Sequence, residues 1–292
     1  MATPQFPSSA EGFYASGDYY LGKSRIFNPY MNVGRLSPEQ KLFRHNPLLN
    51  YGMSYPNHLP PEGQPMTPDQ RFASQVRLVI NTVSHLGDVR NGHILEVGSG
   101  TGSGAYIVDR VFQPGCLSGV DFSAEQVDRA REMNSRNGRI NFHQLNAGEI
   151  ATLFGERQFD GIYSVEMAQH LTREVLVNFI GGAYKTLKPE KKLSFCTFFN
   201  TDEGRQPELK KMFPTADMGL DHMHNIRDVE SIMEQSGFTN VQAISIGNLV
   251  WGQLVRWCRQ VAPEQTWSDV FLTAFPDLLD YYIVTGKKQQ SN

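Results

Sequence analysis

The sequence predicts an α/β fold built on a mostly parallel sheet, and three observations carry that reading. Residues 93–104, HILEVGSGTGSG, pass from a short apolar run into closely spaced glycines and then into residues at helical spacing. Residues 116–121, CLSGVD, form a second apolar run that ends on an acid. Apolar runs and helix-like stripes then alternate to the last run near residue 286. Such alternation places strands side by side with helices crossing over both faces.

The 292 residues supply ample core for one large or two small domains. Hydrophobic content of 40% and charged content of 20% fit a globular protein. A net charge of -3 offers no basic field for nucleic acid or an anionic membrane. Cys116, Cys196 and Cys258 are too widely spaced for a disulfide framework or a CxxC metal site. Without a leader-type or membrane-spanning stretch, the expected location is cytoplasmic. The partner expected is a small molecule rather than nucleic acid or membrane, with a monomer or homodimer left open.

Residues 1–17, rich in Pro, Ser, Gly and Ala, read as a mobile terminus. Residues 19–65 interleave Tyr19, Tyr20, Phe27, Tyr30, Phe43, Tyr51 and Tyr55 with Asn, Pro and Gly, which reads as a lid over a pocket. Thr67-Pro68-Asp69-Gln70 is a capping box that opens a helix. Its expected apolar stripe is Phe72, Val76, Val79, Ile80, Val83 and Leu86, with Gln70 and Gln75 on a solvated side. Ile94, Leu95 and Val97 make the first buried strand, and Ala105, Val108, Val111 and Phe112 the stripe of the next helix. Ser123-Ala124-Glu125-Gln126 reads as a second capping box. Strands are expected at 140–145, 159–165, 192–200, 238–246 and 280–286, and helices after Thr172 and at 225–235. Residues 201–220 read as a long polar loop, and 247–276, with Trp251, Trp257, Trp267, Phe271 and Phe275, as aromatic helices of the core.

Glu96 narrows the function. A pyrophosphate on the helix N-terminus would be repelled by a carboxylate there, whereas an ammonium or sulfonium ligand would be attracted. Glu96-Val97-Gly98-Ser99-Gly100-Thr101-Gly102 resembles the first motif of class I S-adenosylmethionine-dependent methyltransferases, and the resemblance covers most of the chain. It implies a Rossmann-like sheet, mostly parallel with its last strand antiparallel, helices on both faces and an N-terminal aromatic lid. Residues 1–66 would form the mobile terminus and lid. Residues 67–292 would form the methyltransferase domain, with a helical insertion at about 247–277.

The resemblance also assigns roles. Glu96, Gly98, Ser99, Gly100 and Gly102 would cradle the cofactor. Asp121, with Phe122 beside it, would grip the ribose diol, a role that suits one carboxylate accepting from two hydroxyls. Asn146-Ala147 stands where the family has an acid and Ala for adenine, and Asn146 accepts without charge. Asn50-Tyr51-Gly52-Met53-Ser54-Tyr55 resembles the family's aromatic-glycine segment, which brings Tyr51 to the cofactor. FDGIYSVEMAQHL resembles the fourth-strand motif, in which some members carry two histidines. Those positions are Gln169 and His170 here, so His170 is the candidate base and Glu166 the second candidate. The resemblance thus implies methyl transfer from S-adenosyl-L-methionine, leaving S-adenosyl-L-homocysteine, to a small, fairly apolar acceptor of the natural-product kind. O-methylation is favoured over C- or N-methylation. The alternatives are an NAD(P)-dependent oxidoreductase on a similar fold and a non-catalytic cofactor-binding protein. Asp221-His222-Met223-His224 lacks the further ligands of a metal site, and no metal is expected.

Overall fold

The computed structural model describes residues 26–213, 215, 219, 221–264 and 267–290. The mobile terminus expected at residues 1–17 lies outside them. Seven strands form one sheet among the described residues: β1 (His93–Val97), β2 (Cys116–Asp121), β3 (Ile140–Gln144), β4 (Gly161–Val165), β5 (Lys192–Asn200), β6 (Phe238–Ser245) and β7 (Leu279–Lys288). Their order is β3-β2-β1-β4-β5-β7-β6. β1 to β5 pair in parallel, and β7 is inserted antiparallel between β5 and β6. The order therefore reverses at β1 and β4. That is where an open α/β sheet leaves a crevice beyond its carboxyl ends.

Both faces of the sheet are covered, which explains the near-continuous apolar runs of its central strands. On one face Leu95, Val97, Ile162 and Phe195 pack against α5 (Ile150–Leu153), α6 (Arg173–Thr186) and α8 (Ile226–Gln235), through Ile150, Leu176, Phe179, Ile180, Val229 and Met233. On the other, Ile94, Leu117 and Tyr163 meet α2 (Pro68–Ser84), α3 (Ser103–Phe112) and α4 (Ala124–Met133). Each fully buried Leu, Ile, Val or Phe is worth about 1.5–3 kcal/mol. No helix among the described residues is long and apolar enough to cross a membrane.

From residue 26 onward the segment expected to be a lid is a packed layer that includes α1 (Pro38–His45). Phe27, Tyr30, Phe43, Leu48, Tyr51, Met53 and Met66 are buried. Gln75 is fully buried on α2 rather than solvated. Its amide donates to the carbonyls of Phe27 at 3.0 Å, Leu48 at 2.7 Å and Asn50 at 3.2 Å. Arg71, also fully buried, donates to Tyr51 O at 2.6 Å, Asn50 O at 3.1 Å and Gln253 Oε1 at 2.9 Å. Burial pulls the Arg71 guanidinium down to about 10, so it stays charged at neutral pH. The buried face of α2 is thus Arg71, Ser74, Gln75, Leu78, Val79, Thr82 and Val83. The expected stripe is only partly right, because this helix packs against main-chain carbonyls as well as against apolar side chains. Gly52 has a φ of 72°, and a Cβ there would stand 2.5 Å from Ser74 Oγ.

Two further differences are local. Residues 201–220 are not one loop: a 3-10 turn (Glu203–Arg205) runs into α7 (Gln206–Met212). Ser123 caps α4 by accepting from the Gln126 amide, but the return half of the expected box is missing, because the Gln126 side chain is buried with neither amide atom bonded. The aromatic stretch forms α9 (Gly247–Val261) and α10 (Asp269–Ala274). Trp251 and Phe271 stack at 4.5 Å between centroids, in a cluster with Tyr51, Phe198 and Tyr281.

Candidate cofactor and active site

Two adjoining cavities open at the carboxyl ends of β1, β2 and β4. The first, of about 800 Å³, is lined by residues 47–50, the glycine loop, Glu96, Asp121, Val165, Glu166, Met167 and His170. The second, of about 900 Å³, is lined by Val120, Phe122, Leu145, Asn146, Ala147, Leu171, Val175 and His222. Gly98, Asp121, Met167 and His170 line both, so the chambers meet at the centre of the crevice.

Glu96 is buried at the floor of the first chamber, and its Oε2 has no hydrogen-bond partner within the described protein. Burial pushes its carboxyl up to about 8, and the charge of Asp121 adds to the rise. A Cβ at Gly104 would collide with this carboxylate, so the glycine there makes room for it. Gly100 has a φ of 51° with nothing within 4 Å of its Cβ direction, so it turns the chain at the cavity wall. Its amide donates to Asp121 Oδ2 at 2.8 Å, and Ser123 N donates to Asp121 Oδ1 at 3.0 Å. Burial raises the Asp121 carboxyl, and these two amides hold it back toward the charged form. Each carboxylate oxygen keeps a lone pair for a further donor. An orphaned buried carboxylate oxygen and a second, half-satisfied carboxylate fit a ligand with a cationic group and hydroxyls.

In the second chamber, Asn146 Oδ1 accepts from Gly148 N at 2.9 Å and starts the 3-10 turn Ala147–Glu149. Phe122 is 41% exposed, an aromatic edge at the chamber wall. Ser99 is buried in the glycine loop with its hydroxyl unbonded. Gly102 lies behind the loop, against Asn134 and Ala130, and lines neither chamber. Tyr51 lines neither chamber as well, its ring being packed 5.5 Å from Phe27 and 5.4 Å from Phe271. The neighbours Leu49 and Asn50 reach the first chamber instead, together with Thr101, Ser103 and Gly104. The three loop residues were implicit in the glycine motif. The sequence marked Asn50 only as the start of the Asn50–Tyr55 segment and residues 47–49 only as part of the expected lid, because their place depends on the fold of the N-terminal layer.

Glu166 sits just past β4 with a φ of 52°, a left-handed conformation uncommon for a non-glycine residue and concentrated at functional sites. Its Oε1 accepts from Tyr51 N at 2.6 Å and from the Tyr281 hydroxyl at 2.9 Å. His170 ends a 3-10 turn (Ala168–His170), with its Nδ1 3.0 Å from Asp221 Oδ1. His222 lines the second chamber, its amide donating to Gln169 O at 2.8 Å. His224 is buried, with Nε2 2.8 Å from Leu171 O, and burial pushes its imidazole down to about 4. Among the described residues, no group of three His, Cys, Asp or Glu is placed to hold a metal ion.

Comparison with known proteins agrees with this geometry. A family model described as a methyltransferase domain matches residues 94–190, from β1 to the turn before β5. An O-methyltransferase of Aspergillus nomiae is 27% identical over 175 residues, covering 58% of this chain and 74% of its own length. A fatty-acid O-methyltransferase of Mycolicibacterium smegmatis is 28% identical over 141 residues, 48% of each protein, so the match spans about half of that relative. Among solved structures, the geranyl diphosphate C-methyltransferase of Streptomyces coelicolor superposes with a TM-score of 0.71 at 15% identity, over 91% of this chain and 98% of that one. That likeness concerns the fold, including the antiparallel last strand. Domain match, sheet order and the acid-bearing glycine loop converge: residues 94–190 match a methyltransferase domain, and the fold and the relatives support a class I S-adenosylmethionine-dependent methyltransferase.

Proposed function

We propose that the chain methylates a small, fairly apolar acceptor, with oxygen the favoured nucleophile, in natural-product metabolism. The observation that carries this reading is the meeting of the two chambers at Gly98, Asp121, Met167 and His170. Glu96, Gly98, Ser99 and Gly100 form the cradle for the charged end of S-adenosylmethionine, Gly102 supports that loop from behind, and Asp121 takes the ribose. Phe122, Asn146 and Ala147 take the base. Tyr51 contributes through its backbone, which anchors residues 49–50 on the chamber wall. When bound, S-adenosylmethionine supplies a sulfonium-borne methyl group open to in-line attack. The protein supplies position and exclusion of water. His170, shared by both chambers, takes the acceptor's proton, and Glu166 is the second candidate.

The aromatic cluster of Tyr51, Phe198, Trp251, Phe271 and Tyr281 behind Glu166 supports an apolar acceptor. The two O-methyltransferase relatives support oxygen. A cytoplasmic site of action belongs to the same reading, supported by three cysteines that are all free thiols. The test incubates the purified chain with methyl-labelled S-adenosylmethionine and a panel of phenols, carboxylic acids, amines and prenyl diphosphates. Label is expected in an ether or ester. Label confined to carbon or nitrogen products overturns the oxygen preference. Cofactor binding without transfer to any acceptor favours a non-catalytic role.

A further inference from the structure

We propose that Gln169 is a positioning residue that sets the tautomer of His170, keeping the ring proton on Nδ1 and Nε2 as the lone-pair nitrogen. The Gln169 amide is held in one orientation by its partners. Gln169 is 2% exposed and lies between β5 and the end of β4. Its Nε2 is 3.0 Å from the Glu166 carbonyl oxygen, an atom that only accepts. Rotating the amide by half a turn would set carbonyl oxygen against carbonyl oxygen at that distance and take this donor away from the Glu166 carbonyl. In this orientation the Thr197 hydroxyl donates to Gln169 Oε1 at 2.6 Å.

With the amide so fixed, its Nε2 also stands 3.1 Å from His170 Nε2. An amide nitrogen is a donor only, so the imidazole nitrogen facing it must accept. A neutral imidazole that accepts at Nε2 carries its proton on Nδ1. Asp221 fits this assignment, because its Oδ1 is 3.0 Å from Nδ1 and attracts a proton there. In the sequence, Gln169 stands where some members of the resembled family carry a histidine. The structure makes it the group that decides which nitrogen of the remaining histidine is basic.

The catalytic consequence rests on His170 being the base; the tautomer does not. A proton taken from an acceptor would go to Nε2, and the Gln169 N–H contact would be given up as it arrives. His224 is an internal contrast in the same chain. Its Nε2 faces the Leu171 carbonyl at 2.8 Å and must donate, so its proton is on Nε2.

The experiment is a long-range proton–nitrogen NMR correlation on the full chain labelled with ¹⁵N-histidine. The His170 and His224 signals are assigned by their loss in His170→Ala and His224→Gln. The expected spectrum shows a lone-pair-type Nε2 for His170 and a protonated Nε2 for His224. Gln169→Glu, which turns the donor into an acceptor, should move the His170 proton onto Nε2. A protonated Nε2 at His170 in the wild type overturns the proposal, as does an unchanged tautomer in a folded Gln169→Glu chain. If His170→Ala keeps its transferase activity while the wild-type tautomer is as assigned, the base reading fails and the positioning role of Gln169 stands.

Discussion

The two walls of the crevice are built by different means. The wall that faces β1, β2 and β3 is local. Gly100 reaches Asp121 across 21 residues, and Asn146 reaches Gly148 across 2. The wall on the other side joins distant parts of the chain. Glu166 meets Tyr51 and Tyr281 at separations of 115 residues each, and Arg71 meets Gln253 across 182. The local wall follows from strand ends, a glycine loop and caps, which any chain of this class can form from short motifs. The distant wall exists only when the N-terminal layer, α9 and β7 have all docked. In the function proposed above, recognition of the cofactor would fall to the first wall and choice of acceptor to the second.

The sharpest way to break that division is to remove a residue at the junction. His170→Ala should lower kcat by about 10²–10⁴-fold. Its affinity for S-adenosylhomocysteine should stay nearly unchanged, because the group lost is proposed to act on the acceptor. Steady-state kinetics and calorimetry on the same preparation separate the two. A large loss of affinity would move His170 into the cofactor wall.

Asp121→Ala tests the local wall alone. In the proposed role of Asp121 it would remove two charge-assisted hydrogen bonds to a ribose, each worth about 1.5–3 kcal/mol. Affinity for S-adenosylhomocysteine should drop by about 10²-fold or more, with the circular dichroism spectrum unchanged. Unaltered binding would reject the ribose assignment.

Arg71→Met tests the distant wall. The substitution keeps much of the side-chain volume but deletes the charge that holds the carbonyls of Asn50 and Tyr51. Gln75 and Gln253 still reach those two carbonyls, so the fold should survive with a loss of about 2–4 kcal/mol in urea unfolding. Limited proteolysis should then begin within residues 26–66. Stability equal to the wild type would show that the layer is held by its aromatic side chains alone.

Glu96 gives the smallest effect and the clearest sign. Its carboxyl is raised to about 8 in the folded, ligand-free chain, against an ordinary value near 4.5, chiefly by burial. A raised folded-state value means that the neutral form favours folding. The contribution is present below about pH 4.5 and is lost as pH rises through about 8. A cationic ligand restores the charge, so binding near pH 7 should release up to one proton. Affinity for S-adenosylmethionine should rise by up to about tenfold per pH unit until pH 8. Calorimetry in two buffers of different ionisation enthalpy measures the release; equal enthalpies in both would contradict it. Glu96→Gln should melt higher than the wild type above pH 8 and bind the cofactor more weakly.

The division between the walls is also the division between what was legible and what was not. Residues 116–121 and 192–200 are strands with the expected bounds, because buried parallel strands read as continuous apolar runs with an abrupt end. Thr67 and Thr172 cap helices as expected, because a cap is a contact between residues three apart. Glu96 and Asp121 declared themselves by the oddity of an acid at each strand end. Gln75 was misplaced in solvent, because its partners are carbonyls of residues 27, 48 and 50, and no local pattern shows that a polar helix face meets backbone. The lid was expected from aromatic composition, which gives the affinity of residues 26–66 for an apolar surface but not the Arg71 and Gln75 contacts that pin them to it. By itself the sequence determined the sheet, the glycine loop and the two acids, since each is encoded within about 25 residues by period, cap and turn chemistry. Only the tertiary structure decided that Tyr51 turns into the aromatic core, that Glu166 is held by Tyr281, and that Gln169 stands against His170. Those placements are set by packing between elements far apart in the chain, where the same side chains would satisfy many other arrangements equally well.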